Sequence, residues 1–459
     1  MLGDLTPDSV DRLERFGRRR TFRHPGQVLV VAFATLIGIG TGLLMLPASR
    51  QGDGHASFVD ALFTSTSAVC VTGLATVDTE AYWSDFGDVV ILALIQLGGF
   101  GIMTMATIIG IVLARRFGLS AALLASAETS SVGLGDLRRV ILLVGKVTLV
   151  VELILFAILW PRLAIAYDEG WLAGAWSALF HAVSGFNNAG YSTYSDGLVR
   201  FVDDPIVSVP ITLAALLGSL GFPVLLELRR ELRPRTWSLH AKLTIYTSLA
   251  LTVLAWGFFL LSEWGNPATL GPLDVSGKAI SSFFHAATPR TSGFHTLDVG
   301  AMYEGTWVGT IVLMFIGGGS AGTAGGIKVT TFAVLFLVIW AEVRGERHVT
   351  AFGYRIDEKV QRQAIAIALL SVGAVMGGTI ALMQVTTFGL SQVWFEVTSA
   401  VGTVGLSTGI TDDMPPAGKL LLVGLMFLGR LGPVTLVSAL TLRQRSAKYT
   451  LPEGRPLLG

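Results

Sequence analysis

Eight apolar runs punctuate the chain, at 27–46, 86–114, 140–159, 206–226, 243–261, 307–340, 364–383 and 420–442. Each is close to, or longer than, the roughly 20 residues that a helix needs to cross a bilayer. The pattern predicts eight membrane-spanning helices, the sixth interrupted by glycines. The polar connections between them alternate in character. Even-numbered ones are short and basic, as in 227–242 with Arg229, Arg230, Arg233 and Arg235. Odd-numbered ones are longer and acidic, and each holds a short apolar stretch of the length expected for a re-entrant segment. Most of the 33 Lys and Arg residues fall in the leading stretch, the even connections and the trailing stretch. Cytoplasmic segments collect such residues, so both termini are expected inside. The mixed-charge stretch at 12–23 reads as a cytoplasmic tail rather than a leader peptide.

Composition agrees with a chain dissolved in lipid. Hydrophobic residues make up 52% and charged ones 14%, against about 25% charged in soluble domains. The net charge of +1 gives no basic face for nucleic acid, and a single cysteine excludes an internal disulfide or a CxxC site. Glycine is the anomaly, with 54 residues where about 7% is usual.

Part of that glycine belongs to a fourfold repeat. In the odd connections a Phe (63, 180, 283, 395) stands ten residues before a Gly (73, 190, 293, 405). Leu74, Tyr191, Phe294 or Leu406 follows that glycine, and Thr76, Thr193, Thr296 or Thr408 comes two residues later. The third copy also aligns through Phe284 and His285 with a one-residue deletion. The predicted fold is therefore an all-α polytopic membrane protein of four pseudo-repeats: outer helix, re-entrant half-helix, glycine-centred loop, inner helix. The repeats span 27–116, 138–232, 241–344 and 360–443, between tails at 1–26 and 444–459. Non-helical backbone at membrane depth needs protein or a water-filled cavity around it. Four loops meeting on one axis would turn carbonyl oxygens inward, and a carbonyl ring replaces the hydration shell of a potassium-sized cation. For any one loop, a helix C-cap explains the glycine equally well.

Two further features stand inside predicted spans. Glycines crowd residues 317–326, ahead of Lys328, where a helix would lose roughly 1 kcal/mol per glycine relative to alanine. An unwound loop across the pore and a tight helix–helix contact both account for this; a phosphate-binding loop does not, because Lys328 is followed by Val329. Arg430 lies within the eighth run, either paired with an acid or carbonyls or projecting into a cavity. Glu152, in the third run, is expected to make a helix–helix hydrogen bond, and Lys328 to meet an acid or snorkel to the inner surface. Gly98/Gly101, Gly218/Gly221 and Gly429/Gly432 suggest close approach of inner helices. His181, His285 and His295 lack metal-ligand spacing, and no catalytic motif is present, so no enzyme is expected.

At these residues the chain resembles the Trk/Ktr/HKT superfamily of potassium transporters, above all in NNAGYS, TPRTSGF and GTVGLST. It is more similar to the Ktr membrane subunits than to the ten-helix Trk subunits. The resemblance implies a potassium filter formed by Val71, Thr72 and Gly73; Asn188, Ala189 and Gly190; Thr291, Ser292 and Gly293; and Thr403, Val404 and Gly405. In plant relatives a serine at the first filter position goes with sodium permeation, so Gly73 favours potassium. Gly317, Gly318, Gly319, Ser320, Ala321, Gly322, Thr323, Ala324, Gly325 and Gly326 match the family's intramembrane gating loop. Arg430 is then the basic residue beneath the filter that bonds that loop, with Lys328 beside it. Also implied are potassium as the transported ion, sodium stimulation, a homodimer in a bacterial inner membrane, and a cytosolic ring of RCK-type nucleotide-binding subunits. No organic cofactor is expected. Cys70 and Tyr191 depart from the family pattern. A secondary transporter for another small cation or solute is the rival reading; such folds usually carry two inverted repeats.

Overall fold

The computed structural model describes residues 25–116, 137–167 and 169–432, and these are mostly helical. The predicted tails at 1–26 and 444–459 and the end of the last run therefore lie largely or wholly outside the described residues.

The first repeat is α1 (Pro25–Leu44), α2 (Phe58–Val69) and α3 (Asp85–Arg116). The second is α4 (Leu137–Ala166), α5 (Trp171–Asn187) and α6 (Pro205–Leu220), continued by α7 (Phe222–Arg230). The third is α8 (Leu239–Glu263), α9 (Val275–Ala287), α10 (Glu304–Phe315) and α11 (Val329–Val343). A two-residue-per-strand hairpin, β1 (Thr350–Ala351) and β2 (Tyr354–Arg355), leads into the fourth: α12 (Glu358–Val385), α13 (Leu390–Gly402) and α14 (Pro416–Leu431).

The short helices begin and end for identifiable reasons. Ser57 and Asp274 cap α2 and α9, accepting from the N–H groups of Asp60 and Gly277. Asp204 caps α6 with Pro205 following it, and Pro416 opens α14, where a missing N–H costs nothing. The C-terminal halves of α2, α5, α9 and α13 are buried almost without exception.

Packing between repeats closes a ring. Each inner helix lies against the half-helix of the next repeat: α3 on α5, α6 on α9, α10 on α13, and α14 back on α2. The outer helices instead expose large apolar side chains, among them Leu153 on α4, Leu254 on α8 and Leu369 on α12. A belt of this kind suits hydrocarbon better than water.

Among the described residues, three helices are long and apolar enough to cross a membrane, and the bent pair α6–α7 makes a fourth if counted as one. The sixth apolar run is broken into α10 and α11, as its glycines suggested. The fourth run is broken too, which was not foreseen. Between α6 and α7 the chain turns through 100° at Gly221, with φ at +92°. The bend has a hydrogen-bonding cause: the carbonyls of Gly218 and Ser219 accept from Thr323 (3.2 Å) and Gly319 (2.7 Å) of another repeat.

Candidate ion pathway and gate

Each half-helix delivers its chain into the same tight turn. Val71, Asn188, Thr291 and Thr403 have φ of 53°, 61°, 78° and 48°, the left-handed region. Three are β-branched, a type that pays roughly 1–2 kcal/mol there. In the first, second and fourth repeats a Schellman-type cap holds the turn, through Thr72 N–H to Ser67 O, Ala189 N–H to Ser184 O and Val404 N–H to Ser399 O, each 2.8 Å. The third repeat is one residue tighter, with Ser292 N–H bonded to Thr288 O at 2.9 Å after a 3-10 turn at Thr288–Arg290. Phe284, not Phe283, is accordingly the buried counterpart of Phe63, Phe180 and Phe395, so the one-residue deletion is the correct alignment.

Two residues on, all four glycines again have positive φ: 95° at Gly73, 69° at Gly190, 73° at Gly293 and 94° at Gly405. They touch one another. A Cβ on Gly190 would fall 2.6 Å from the Cα of Gly293, and one on Gly73 would fall 3.3 Å from the Cα of Gly190. One on Gly405 would meet the Cα atoms of Gly73 (3.0 Å) and Gly293 (3.1 Å). The neighbouring backbone oxygens of Thr72, Ala189, Ser292 and Val404 line the same contacts. No side chain fits at any of the four positions, for reasons of space and of backbone angle alike.

Close approach explains one glycine of each inner-helix pair through a half-helix carbonyl, but not Gly101, where a Cβ would meet nothing within 4 Å. A Cβ on Gly98, Gly218 or Gly429 would strike the carbonyl oxygen of Val69, Phe186 or Val401, each four residues before a central glycine.

The glycine-rich loop 317–326 packs beside the turn at Gly402 and Thr403 and against the end of α6. Its ends are held together by Gly317 N–H to Ile327 O (2.9 Å) and Val329 N–H to Gly318 O (2.9 Å). Beyond the two bonds to α6, the Phe222 N–H of α7 donates to Ala321 O at 3.2 Å. Side chains on Gly319 and Gly325 would strike Leu220 O and Thr403 Oγ1. Several buried oxygens here have no partner among the described residues: Thr72 Oγ1, Asn188 Oδ1, Thr403 Oγ1 and, from the loop, Thr323 Oγ1. Unpaired buried oxygens are costly and call for water or a cation.

Two cations grip the loop. Buried Arg430 donates from Nη1 to Thr323 O, while Nε and Nη2 have no partner among the described residues. Half-buried Lys328 donates from Nζ to Ala324 O at 2.6 Å rather than to an acid. Among the described residues neither forms an ion pair. Glu152 does bridge helices: it accepts from Asn187 Nδ2 (3.1 Å) on α5 and Gln96 Nε2 (3.4 Å) on α3. Cys70 is the buried C-cap of α2. No group of three or more potential metal-binding side chains occurs among the described residues.

Several residues escaped the sequence reading. Gly221 is among the glycines read for close approach, but the bend it carries is not; the available signal was Pro223, which has no N–H to offer the Ser219 carbonyl. Arg290 is buried behind the third loop, donating to Ser248 O (2.9 Å) and Thr252 Oγ1 (2.5 Å). Glu396 is wholly buried; its signal was a polar residue after the repeated phenylalanine in every copy once Phe284 is used.

The sequence pattern of the TrkH family, described as cation transport proteins, matches residues 10–244 and 231–450. The chain belongs to this family. It is 40% identical over 435 residues to the Ktr system potassium uptake protein B of Bacillus subtilis, covering 95% of this chain and 97% of that one. It is 34% identical to the protein of the same description in Vibrio alginolyticus, with 94% of each covered. It is also 32% identical to the potassium/sodium uptake protein NtpJ of Enterococcus hirae, covering 95% and 97%. The crystal structure of the potassium transporter TrkH from Vibrio parahaemolyticus shares the fold, with a TM-score of 0.73 over 93% of this chain and 86% of that one, at 17% identity. These TrkH-family relatives are transporters rather than enzymes.

Proposed function

We propose that this TrkH-family chain is the potassium-translocating membrane subunit of a Ktr-type uptake system. The observation that carries the reading is the ring of four mutually touching glycines, each at positive φ and each presented by a buried half-helix. In this reading the oxygens of Val71, Thr72, Asn188, Ala189, Thr291, Ser292, Thr403 and Val404, with those of the glycines, replace the hydration shell of potassium. The half-helix C-termini add partial negative charge that favours a cation. The orphan oxygens at the inner end serve the ion as it regains water. The loop 317–326 is the gate, latched by Arg430 and Lys328, and the Arg430 charge discourages standing occupancy by a cation.

Eight spans with both ends cytoplasmic and four repeats at 27–116, 138–232, 241–344 and 360–443 complete the architecture. The names of the Bacillus and Vibrio relatives support a multi-component system; the homodimer, the RCK-type regulatory ring and the bacterial inner membrane rest on the resemblance of the filter motifs alone. The name of the Enterococcus relative supports a part for sodium.

Purified chain in liposomes tests the proposal through rubidium uptake. Uptake that potassium inhibits far better than sodium is expected; absence of uptake by folded, reconstituted protein, or equal inhibition by the two ions, would contradict it.

A further inference from the structure

In every half-helix, the residue after the buried phenylalanine is itself buried and polar: Thr64, His181, His285 and Glu396. Three of them reach the limb by which the chain leaves the central glycine. Glu396 accepts from Thr408 N–H (2.9 Å), from the Ser407 hydroxyl and from the Thr411 hydroxyl (2.9 Å). His285 Nε2 faces the N–H groups of Thr296 (3.3 Å) and Leu297 (3.2 Å), so that nitrogen carries no proton. His181 Nε2 lies 3.0 Å from the Ser192 hydroxyl, while Nδ1 faces Ser177 O at 2.7 Å.

Thr64 in the first repeat is too short to do this, and its Oγ1 has no partner among the described residues. There the limb is held from the neighbouring repeat. The Tyr191 hydroxyl lies within reach of Leu74 O (3.3 Å) and Thr64 O (3.4 Å), which gives this departure from the family pattern a physical role.

We infer that Glu396, His285, His181 and Tyr191 are positioning residues that set where the outer limb of each filter loop sits, and thereby how sharply the filter discriminates between cations. The inference rests on the filter reading above. These limbs are irregular backbone beside the ring, and their N–H groups need partners from somewhere. Glu396 and His285 supply them in the fourth and third repeats, while His181 holds its limb through the Ser192 hydroxyl and Tyr191, from the second loop, donates to carbonyls of the first. Glu396 holds its limb by three bonds, two of them from residues within three of Gly405, and is the strongest strap.

The experiment compares wild type, Glu396→Leu, Glu396→Gln and Gly405→Ser, each as full-length chain in liposomes, reading rubidium uptake with potassium or sodium as competitor. Leucine removes both acceptor oxygens and so all three bonds. Glutamine keeps the carbonyl oxygen for Thr408 and Ser407 and turns its amide to Thr411, whose hydroxyl can reverse and accept. Expected is a roughly tenfold loss of potassium-over-sodium preference in Glu396→Leu, with Glu396→Gln restoring most of it. Ser407→Ala, which leaves the half-helix intact, should lose about threefold and serves if Glu396→Leu does not fold. Unchanged preference in folded Glu396→Leu and in Ser407→Ala, with Gly405→Ser altered, would overturn this inference alone. Unchanged preference in Gly405→Ser as well would overturn the filter reading beneath it.

Discussion

Arg430 Nη1 donates to the carbonyl oxygen of Thr323, tying the fourth inner helix to the loop that interrupts the third. A charge-assisted bond of this kind contributes about 1.5–3 kcal/mol. If the loop is the gate, the bond exists in the closed state, and its loss shifts the population toward open. Arg430→Ala should raise rubidium uptake several-fold, and Arg430→Lys by less. Unchanged or reduced uptake would count against the latch.

Gly221 has φ at +92°, and a Cβ there would strike the Ser320 carbonyl. Alanine is strained by both, at a cost on the order of 1–3 kcal/mol. Gly373 lies inside α12 with open space around it, so alanine there gains about 0.5–1 kcal/mol of helix propensity. Thermal unfolding in detergent should therefore show Gly221→Ala melting below wild type and Gly373→Ala at or above it.

Much of this arrangement was legible in the chain. The glycine at a fixed distance behind a phenylalanine marked each loop, because only glycine survives where four backbones meet. Gly98, Gly218 and Gly429 were legible for the same reason. The bend at Gly221 was legible only in half: Pro223 leaves the Ser219 carbonyl without a helical donor, but the loop a hundred residues away that takes the carbonyls of Gly218 and Ser219 leaves no local pattern. Lys328 was misread for a similar reason: its acceptor is the Ala324 carbonyl, which exists only once the helix has unwound. The third repeat hid its alignment behind two adjacent phenylalanines, and burial alone separates Phe284 from Phe283.

Glu152 gathers Asn187 and Gln96 behind the second loop. Asn187 Nδ2 keeps the Gln96 and Val183 oxygens in Glu152→Ala, but the Gln96 amide N–H loses its acceptor, which should destabilise the protein by about 1–3 kcal/mol. Glu152→Gln, of the same shape, should cost less than half of that in the same thermal assay.

Outside the spans, Asp204 accepts from Arg162 Nε (2.8 Å), the Tyr167 hydroxyl (2.9 Å) and Ile206 N–H (2.9 Å). Burial alone would raise this carboxyl, but the bonds from Arg162, Tyr167 and Ile206 outweigh it and hold it below the ordinary 3.8. A depressed carboxyl stabilises the fold fully above its unfolded value and loses that contribution as pH falls through the folded one. The melting difference between wild type and Asp204→Asn should thus be constant above about pH 5 and shrink below pH 4.

The ring of glycines is tested most directly by changing Gly73, Gly190, Gly293 and Gly405 to serine one at a time, with Gly377→Ser as a control in open space on α12. The measurement is the ratio of potassium to sodium inhibition of rubidium uptake in liposomes. All four ring variants are predicted to lose that preference while the control keeps it. A ring variant that folds, transports and discriminates like wild type would contradict a filter built on these four residues.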